Sequence, residues 1–324
     1  MDESSRKWKS RFLSSSIPLE YETAKILSNL GLSVSYDYSY FRKEGNENKE
    51  FSVDLKGLGF IPLDDENEVD ACVEILVECK YREDGKKWFF LPEIAVSEVS
   101  ERTSGDAVRS ITCFSTKEVN KESIYAFEDQ FAFSLKGTEI NFHTGDVFDK
   151  DLRHGILQLK YAMPYLLSSA ISNNLSWHLE DAIPHFIFPI LVTNAELYLL
   201  KEEFSIERLK KCEDIEEIAD KVPYLTYFSD YSPDFAEHHK RIFRNFYDDF
   251  KENESLLYFE KYQEQKKHPV YGIYDSPMRM CEELQCSYQG IIRTYYSHFI
   301  ICSVSQLQVL LEDFFDSITK AIYH

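Results

Sequence analysis

The chain has 324 residues, of which 44% are hydrophobic and 15% aromatic, with a formal net charge of −20. That length and composition suffice for one large domain or two modest ones with a true core, while the acidity argues against a protein that simply coats nucleic acid, which would be basic. No stretch approaches the ~20 apolar residues of a membrane span, and the opening MDESSRKWKSRF lacks a signal peptide's apolar segment. Seven cysteines, at 72, 79, 113, 212, 281, 286 and 302, are odd in number and form no CxxC pair. They read as reduced thiols in a cytoplasmic protein, not as a disulfide framework or zinc site.

In chain order, Ser16, Pro18 and Gly31 bracket a helix whose inner face is Leu19, Thr23, Ala24, Ile26, Leu27 and Leu30. LSVSYDYSYF (32–41) and EFSVDLKGLGFI (50–61) alternate as strands around the turn-rich EGNENKE, and PLDDENE makes the next turn. VDACVEILVECKYR (69–82) is the strongest strand, with Val73, Ile75, Val77 and Cys79 on one face and Leu76, Glu78 and Lys80 on the other. Residues 83–150 hold short strand-like pieces, KKWFFLP and SIYAFE, between loops. HGILQLKYAMPYLLSSAI (154–171) reads as a helix despite Pro164, and PHFIFPILVTNAELYLL (184–200) as one buried strand. Residues 201–290 are acidic, aromatic and mostly helical; TYYSHFIICSVS (294–305) reads as a strand and QLQVLLEDFFDSITKAI (306–322) as an amphipathic helix.

This order predicts an α/β protein with a central mixed sheet flanked by helices. Residues 1–200 form the expected core, with an insertion at about 83–150. Residues 201–324 are expected as a mostly helical extension, ending in a strand and a helix and packed on that core.

The two strongest strands make a natural antiparallel hairpin. With its turn centred near residue 66, facing positions sum to about 132, which sets Asp54 against Glu78; Val53 and Leu55 then share the core face with Cys79 and Val77. Two facing carboxylates repel unless a proton or cation sits between them, and oxygen ligands of this kind suit Mg²⁺, with Mn²⁺ as a substitute. A divalent ion lowers the pKa of its water and neutralises a phosphoryl oxygen, and a lysine one pleat away serves the attacking water. The set is that of metal-assisted phosphodiester hydrolysis.

VDL followed by VECKYR resembles the PD-(D/E)XK nuclease superfamily, especially its Mrr-like restriction endonuclease branch. The resemblance implies a restriction-endonuclease-like fold in which Asp54 and Glu78 hold the metal, the Cys79 carbonyl is a further ligand, and Lys80 assists hydrolysis. LEYETAKILSNLGL resembles the family's FExxVAxLLxxxGY helix and aligns Glu20 with its glutamate, with Glu22 as the competing position; Gln158 in HGILQLKYA matches a glutamine common on the following helix. The likeness covers residues 15–82 well and 154–200 loosely. Val53 replaces the signature proline, and nothing in 201–324 resembles the family. What it implies is a Mg²⁺-dependent deoxyribonuclease of restriction or phage defence, with DNA as substrate and RNA not excluded. The charge of −20 implies that DNA is gripped locally, or with a homo-oligomer or protein partner.

Competing readings stand beside these. A non-catalytic interaction protein on the same fold also fits the acidity. Glu78, Lys80 and Asp54 can each be a solvated strand face whose ion pair contributes ~0–1 kcal/mol. Glu47-Asn48-Lys49, Glu264-Gln265-Lys266 and Asp54-Leu55-Lys56 (with Asp37 upstream) are rival ExK-type triplets in poorer contexts. Asp70 shares a face with Glu78 but lies ~26 Å away along the strand, too far for one ion. His238 and His239, followed by KRIFRNF, read either as phosphate contacts interleaved with aromatics or as an amphipathic helix balancing its acidic surroundings.

Overall fold

The computed structural model describes residues 3–45, 47–63, 69–94, 100–176, 181–266 and 276–323. Among them the chain runs α1 (Glu3–Ser14), α2 (Ile17–Asn29), β1 (Ser33–Glu44), β2 (Glu47–Ile61), β3 (Ala71–Lys80), β4 (Lys86–Pro92), β5 (Arg109–Ile111), α3 (Glu122–Glu128), β6 (Ala132–Asn141), β7 (Val147–Phe148) and α4 (Lys150–Ser176). It continues through β8 (His185–Thr193), β9 (Glu196–Leu200), α5 (Ile206–Leu209), β10 (Ala219–Val222), β11 (Tyr224–Phe228), α6 (Pro233–Phe250), α7 (Glu254–Lys266), α8 (Pro277–Cys286), α9 (Gln289–Tyr296), β12 (His298–Ser303) and α10 (Leu307–Tyr323). The turn PLDDENE falls mostly outside the described residues.

Nine of the ten residues of β3 are buried, because the strand sits deep in one mixed sheet ordered β1-β2-β3-β8-β12-β11-β6-β4-β9-β10. Strands covered on both faces read as near-continuous apolar runs, which is what AC-VEILVEC and HFIFPILV show. One face carries α2, α3 and α10 over a core that includes Leu27, Val73, Ile75, Phe188 and Phe314. The other carries α4 and the helices α6 to α9 over a core that includes Leu76, Leu159, Leu191, Phe243 and Phe299. The expected α/β architecture, a mixed sheet flanked by helices, is what the fold shows. Among the described residues no helix is long and apolar enough to cross a membrane, and all seven cysteines are free thiols.

Several local expectations change. SIYAFE is not a strand: Ile124 and Phe127, three apart, bury one face of α3. The run 184–200 breaks into β8 and β9 at Asn194, whose side-chain amide accepts from Arg82 N at 2.6 Å and donates to Arg82 O at 2.7 Å. That amide takes over the pairing a strand backbone would make. The region expected to be mostly helical supplies β10 and β11, and Thr294–Tyr296 belong to α9, so the last strand starts at His298. The segments expected as insertion and as extension both feed the one sheet, since β4, β6, β11 and β12 all lie in it. Ser16 occupies the α2 N-cap position in a left-handed conformation (φ 64°), without a capping bond from its side chain.

The β2/β3 ladder pairs Leu55 with Val77, Gly57 with Ile75 and Gly59 with Val73, so its facing positions sum to the expected 132. One face assignment differs. Leu55 packs in the α2-side core, but Val53 packs in the α4-side core with Leu76. The change falls at Asp54, opposite Asp37 on β1, and Asp37 has φ 54°. The β1/β2 ladder runs Tyr36↔Leu55 and then Tyr38↔Val53, leaving Asp37 and Asp54 unpaired between them. A left-handed residue inside a strand adds twist and re-aims its neighbours, which turns the hairpin over at this point.

Candidate active site

Glu78 is the most enclosed carboxylate of the site, only 1% exposed. Alternation along β3 puts Lys80 on the same face, and Lys80 Nζ donates to Glu78 Oε1 at 2.5 Å. From α4, Gln158 closes the group: its Oε1 accepts from Lys80 Nζ at 3.1 Å, and its Nε2 donates to Ser52 O at 3.1 Å. Gly155, one turn earlier on α4, lets the helix approach. A Cβ there would lie 2.7 Å from Leu191 Cδ1, 3.2 Å from Lys80 Cε and 3.5 Å from Glu78 Cγ. Thr193 Oγ1 donates to Lys80 O at 2.8 Å and anchors the strand end that carries the lysine.

Asp54 joins from β2. Its Oδ2 accepts from the backbone N–H of Cys79 at 2.7 Å, so the carboxylate stands in the ladder where a carbonyl would otherwise be. Cys79 takes part through its backbone. Its thiol is buried among α2 residues, 3.8 Å from Thr23 Oγ1, and burial raises its pKa well above the ordinary thiol range.

Glu20 reaches the site from the first turn of α2. Its pKa is raised to about 7, first by burial and then by the charges of Asp54 and Asp37, while Lys80 lowers it. Glu22 is exposed two residues on, so the helix carboxylate of the site is Glu20. Burial raises Asp54 and pushes Glu78 up to about 8; Lys80 opposes the Glu78 shift and Asp54 adds to it. Burial leads all three shifts, so each carboxylate is short of the hydration that would favour its charge.

That shortage bears on the implied metal. Glu78 Oε2 is buried without a hydrogen-bond partner, which costs free energy unless something with positive character meets it. Among the described residues no three His, Cys, Asp or Glu side chains are arranged to hold an ion. Asp54 and Glu78 therefore offer two carboxylates. Such a partial set fits a hard cation that keeps several of its waters, as Mg²⁺ does, and does not fit a closed zinc cage.

Hydrogen bonds join Asp54 to Cys79 and Lys80 to Glu78 and Gln158, while Glu20 lies near enough to feel the charges of Asp54 and Lys80. Asp37, weighed only as part of a rival triplet, also belongs beside them. His154 was not foreseen. It lies one turn before Gln158 on α4, and its pKa is lowered by burial first and then by the charge of Lys80. Its i, i+4 spacing from Gln158 was the available signal. The rivals lie elsewhere. Asp70 is tied to Lys117 and accepts from Tyr323 Oη at 2.8 Å. Lys56 pairs with Glu74 at 2.5 Å, Lys49 with Glu44 at 2.8 Å, and Lys266 with Glu118 at 3.6 Å. His238 and His239 are buried on α6, which drops their pKa values to about 4 and about 3. Comparison of the chain with family models, with curated proteins and with solved structures finds no match.

Proposed function

We propose that the protein is a Mg²⁺-dependent endonuclease hydrolysing phosphodiester bonds of DNA, in a restriction or phage-defence setting in the cytoplasm. The observation that carries this reading is the buried Glu78 carboxylate. It has one oxygen on Lys80 and the other unpartnered, next to an Asp54 carboxylate fixed by the Cys79 amide. Asp54, Glu78 and the Cys79 carbonyl would hold the cation. When bound, that cation supplies charge neutralisation at a phosphoryl oxygen and a lower pKa for water. Lys80, held between Glu78 and Gln158, presents an ammonium proton at a fixed place and stabilises negative charge as it develops. Glu20, coupled to both Asp54 and Lys80, orients the attacking water and accepts its proton. The restriction setting rests on the likeness of VDL, VECKYR and the Glu20 helix to the Mrr-like branch.

The test is incubation of purified protein with supercoiled and linear DNA in Mg²⁺, Mn²⁺ or EDTA, beside Lys80→Ala and Asp54→Ala. Cutting that needs the metal and disappears in both variants is the expected result. Cutting that survives Lys80→Ala would mean a contaminant or a misassigned site. If no cutting occurs and Mn²⁺ titration detects no site lost in Asp54→Ala, the interaction-protein reading replaces this one. A parallel arm with RNA separates the two sugars.

A further inference from the structure

A chain with 56 acidic and 36 basic residues can meet a polyanion only where its cations are gathered. One cavity of about 590 Å³, between the end of β1 and α6, does gather them. Arg42 and Lys43 come from β1, and Lys240, Arg241 and Arg244 from α6, against the two acids Asp234 and Glu237. The α6 residues sit at i, i+1 and i+4 and so share one side of the helix.

Part of this set is structural. Arg42 stacks on the Tyr161 ring at 3.9 Å and pairs with Asp234 at 2.9 Å, and Tyr161 Oη donates to the same carboxylate at 2.5 Å. Asp234 is thereby held below its usual pKa, chiefly by the Tyr161 bond, and its exposed carboxylate is engaged by Tyr161 and Arg42. Arg241 donates to Asn48 Oδ1 at 3.0 Å, pinning the β1–β2 hairpin to α6. The other cations are open. Among the described residues Lys43, Lys240 and Arg244 have no ion-pair partner, and Arg42 Nε is a buried donor with no acceptor. Three open cations with a forked guanidinium between them suit several phosphates of a chain better than a single small carboxylate.

The cavity adjoins the Glu78 site. Tyr161 follows Gln158 by three residues on α4, and Arg42 follows Asp37 by five on β1, about 17 Å at ~3.3 Å per residue. Tyr40, buried between them, feels both the Glu78 carboxylate and the Arg42 guanidinium. His154 feels both Lys80 and Arg42. At ~3.4 Å of axis per nucleotide of one strand, the separation corresponds to a few nucleotides.

We propose that the cavity formed by Arg42, Lys43, Lys240, Arg241 and Arg244 binds backbone phosphates of duplex DNA a few nucleotides from the bond placed at Glu78 and Lys80. The choice of DNA rests on the phosphodiesterase reading of that site. Against a net charge of −20, the cations gathered here attract the duplex locally and guide its path.

The experiment measures affinity of the Lys80→Ala protein for a labelled duplex in Ca²⁺ buffer between about 50 and 200 mM salt. Lys240→Ala/Arg244→Ala is compared with Lys210→Ala/Lys211→Ala, which removes the same charge near the opposite edge of the sheet. Losing two phosphate contacts lowers the slope of log K against log salt by about 1.8 and weakens binding by roughly ten- to a hundredfold near 0.1 M salt, whereas the control pair changes neither. Equal affinity and slope in both double variants would overturn the proposal even if metal-dependent cutting is observed. Loss confined to the α6 variant in a protein that never cuts would uphold the DNA grip and overturn the enzyme reading instead. Absence of duplex binding by the parent protein, or binding only to phosphatidylserine vesicles, overturns the proposal outright.

Discussion

The Asp54 carboxylate accepts its 2.7 Å hydrogen bond from the amide of Cys79, on the strand that also carries Glu78 and Lys80. Side chain has replaced backbone in the ladder, so any displacement of β2 against β3 moves the two carboxylates relative to each other. Asp54→Asn keeps the size and an acceptor oxygen while removing charge. We expect it to fold with near-normal stability and to lose metal affinity, read by Mn²⁺ titration. A parent-like affinity would remove Asp54 from the ligand set.

Without metal, stability should depend on pH with a definite sign. Glu78 moves from 4.5 to about 8 and Glu20 from 4.5 to about 7, both chiefly through burial. A raised carboxylate pKa means the folded form holds its proton where the unfolded chain has released it. The associated stability is full below pH 4.5 and is lost as pH rises through 7 and 8. Thermal melts in EDTA should show a Tm that falls over this range, flattened in Glu78→Gln. Mg²⁺ or Mn²⁺ should restore most at the alkaline end, where the carboxylates are free to bind it. A Tm that rises with pH in EDTA would contradict the burial argument.

Gln158 is a positioning residue. Removing its amide in Gln158→Ala takes away an acceptor of the Lys80 ammonium, a bond to a charged group worth about 1.5–3 kcal/mol. We expect cleavage to slow by roughly ten- to a hundredfold with the metal affinity unchanged. Comparable rates in parent and variant would reduce the glutamine to a support for the Ser52 carbonyl.

Gly155 holds the clearance between α4 and β3. The methyl of Gly155→Ala would meet Leu191 Cδ1 at 2.7 Å and Lys80 Cε at 3.2 Å. Overpacking of this kind costs about 1–3 kcal/mol, measurable by urea denaturation, and the displaced lysine should lower turnover beyond what the stability loss explains. Unchanged turnover would show that the helix yields without moving Lys80.

Asp37 combines a left-handed backbone with a charge facing Asp54. Asn tolerates φ near 54°, so Asp37→Asn should stabilise the metal-free protein by about 0.2–1 kcal/mol through lost repulsion. Val does not, and Asp37→Val should cost about 1–2 kcal/mol. Chemical denaturation in EDTA separates the two effects.

Much of the site was legible because it depends on local pattern. Period-two alternation located β2 and β3, and the simplest hairpin register, centred near residue 66, sets Asp54 against Glu78; the ladder itself has that register. Amphipathic spacing located the two helices, but Glu20 and Gln158 are singled out on them only through the resemblance to the nuclease superfamily. Other parts depend on partners far away in the chain. SIYAFE has strand-like composition and becomes a helix only because Ile124 and Phe127 find a buried face. The Val53/Leu55 inversion needs the positive φ of Asp37, which strand alternation does not announce. The basic cavity joins residues 42–43 to 240–244, a separation no motif spans.

The place of β12 bears on how the molecule can be made. Residues 298–303 pair parallel with β8 on one side and antiparallel with β11 on the other. Until they emerge from a ribosome, the Ile190–Thr193 end of β8, beyond its pairing with β5, is an open edge of apolar strand and the two halves of the sheet have no common seam. Such an edge is a template for association with other chains. The nascent protein should therefore lean on holdase chaperones in the later part of its synthesis, between β8 and β12, and closure of the sheet should be a slow, late step dominated by long-range pairing. A truncation before residue 298 should aggregate rather than leave a stable folded fragment, although every residue of the Glu78 site precedes the cut.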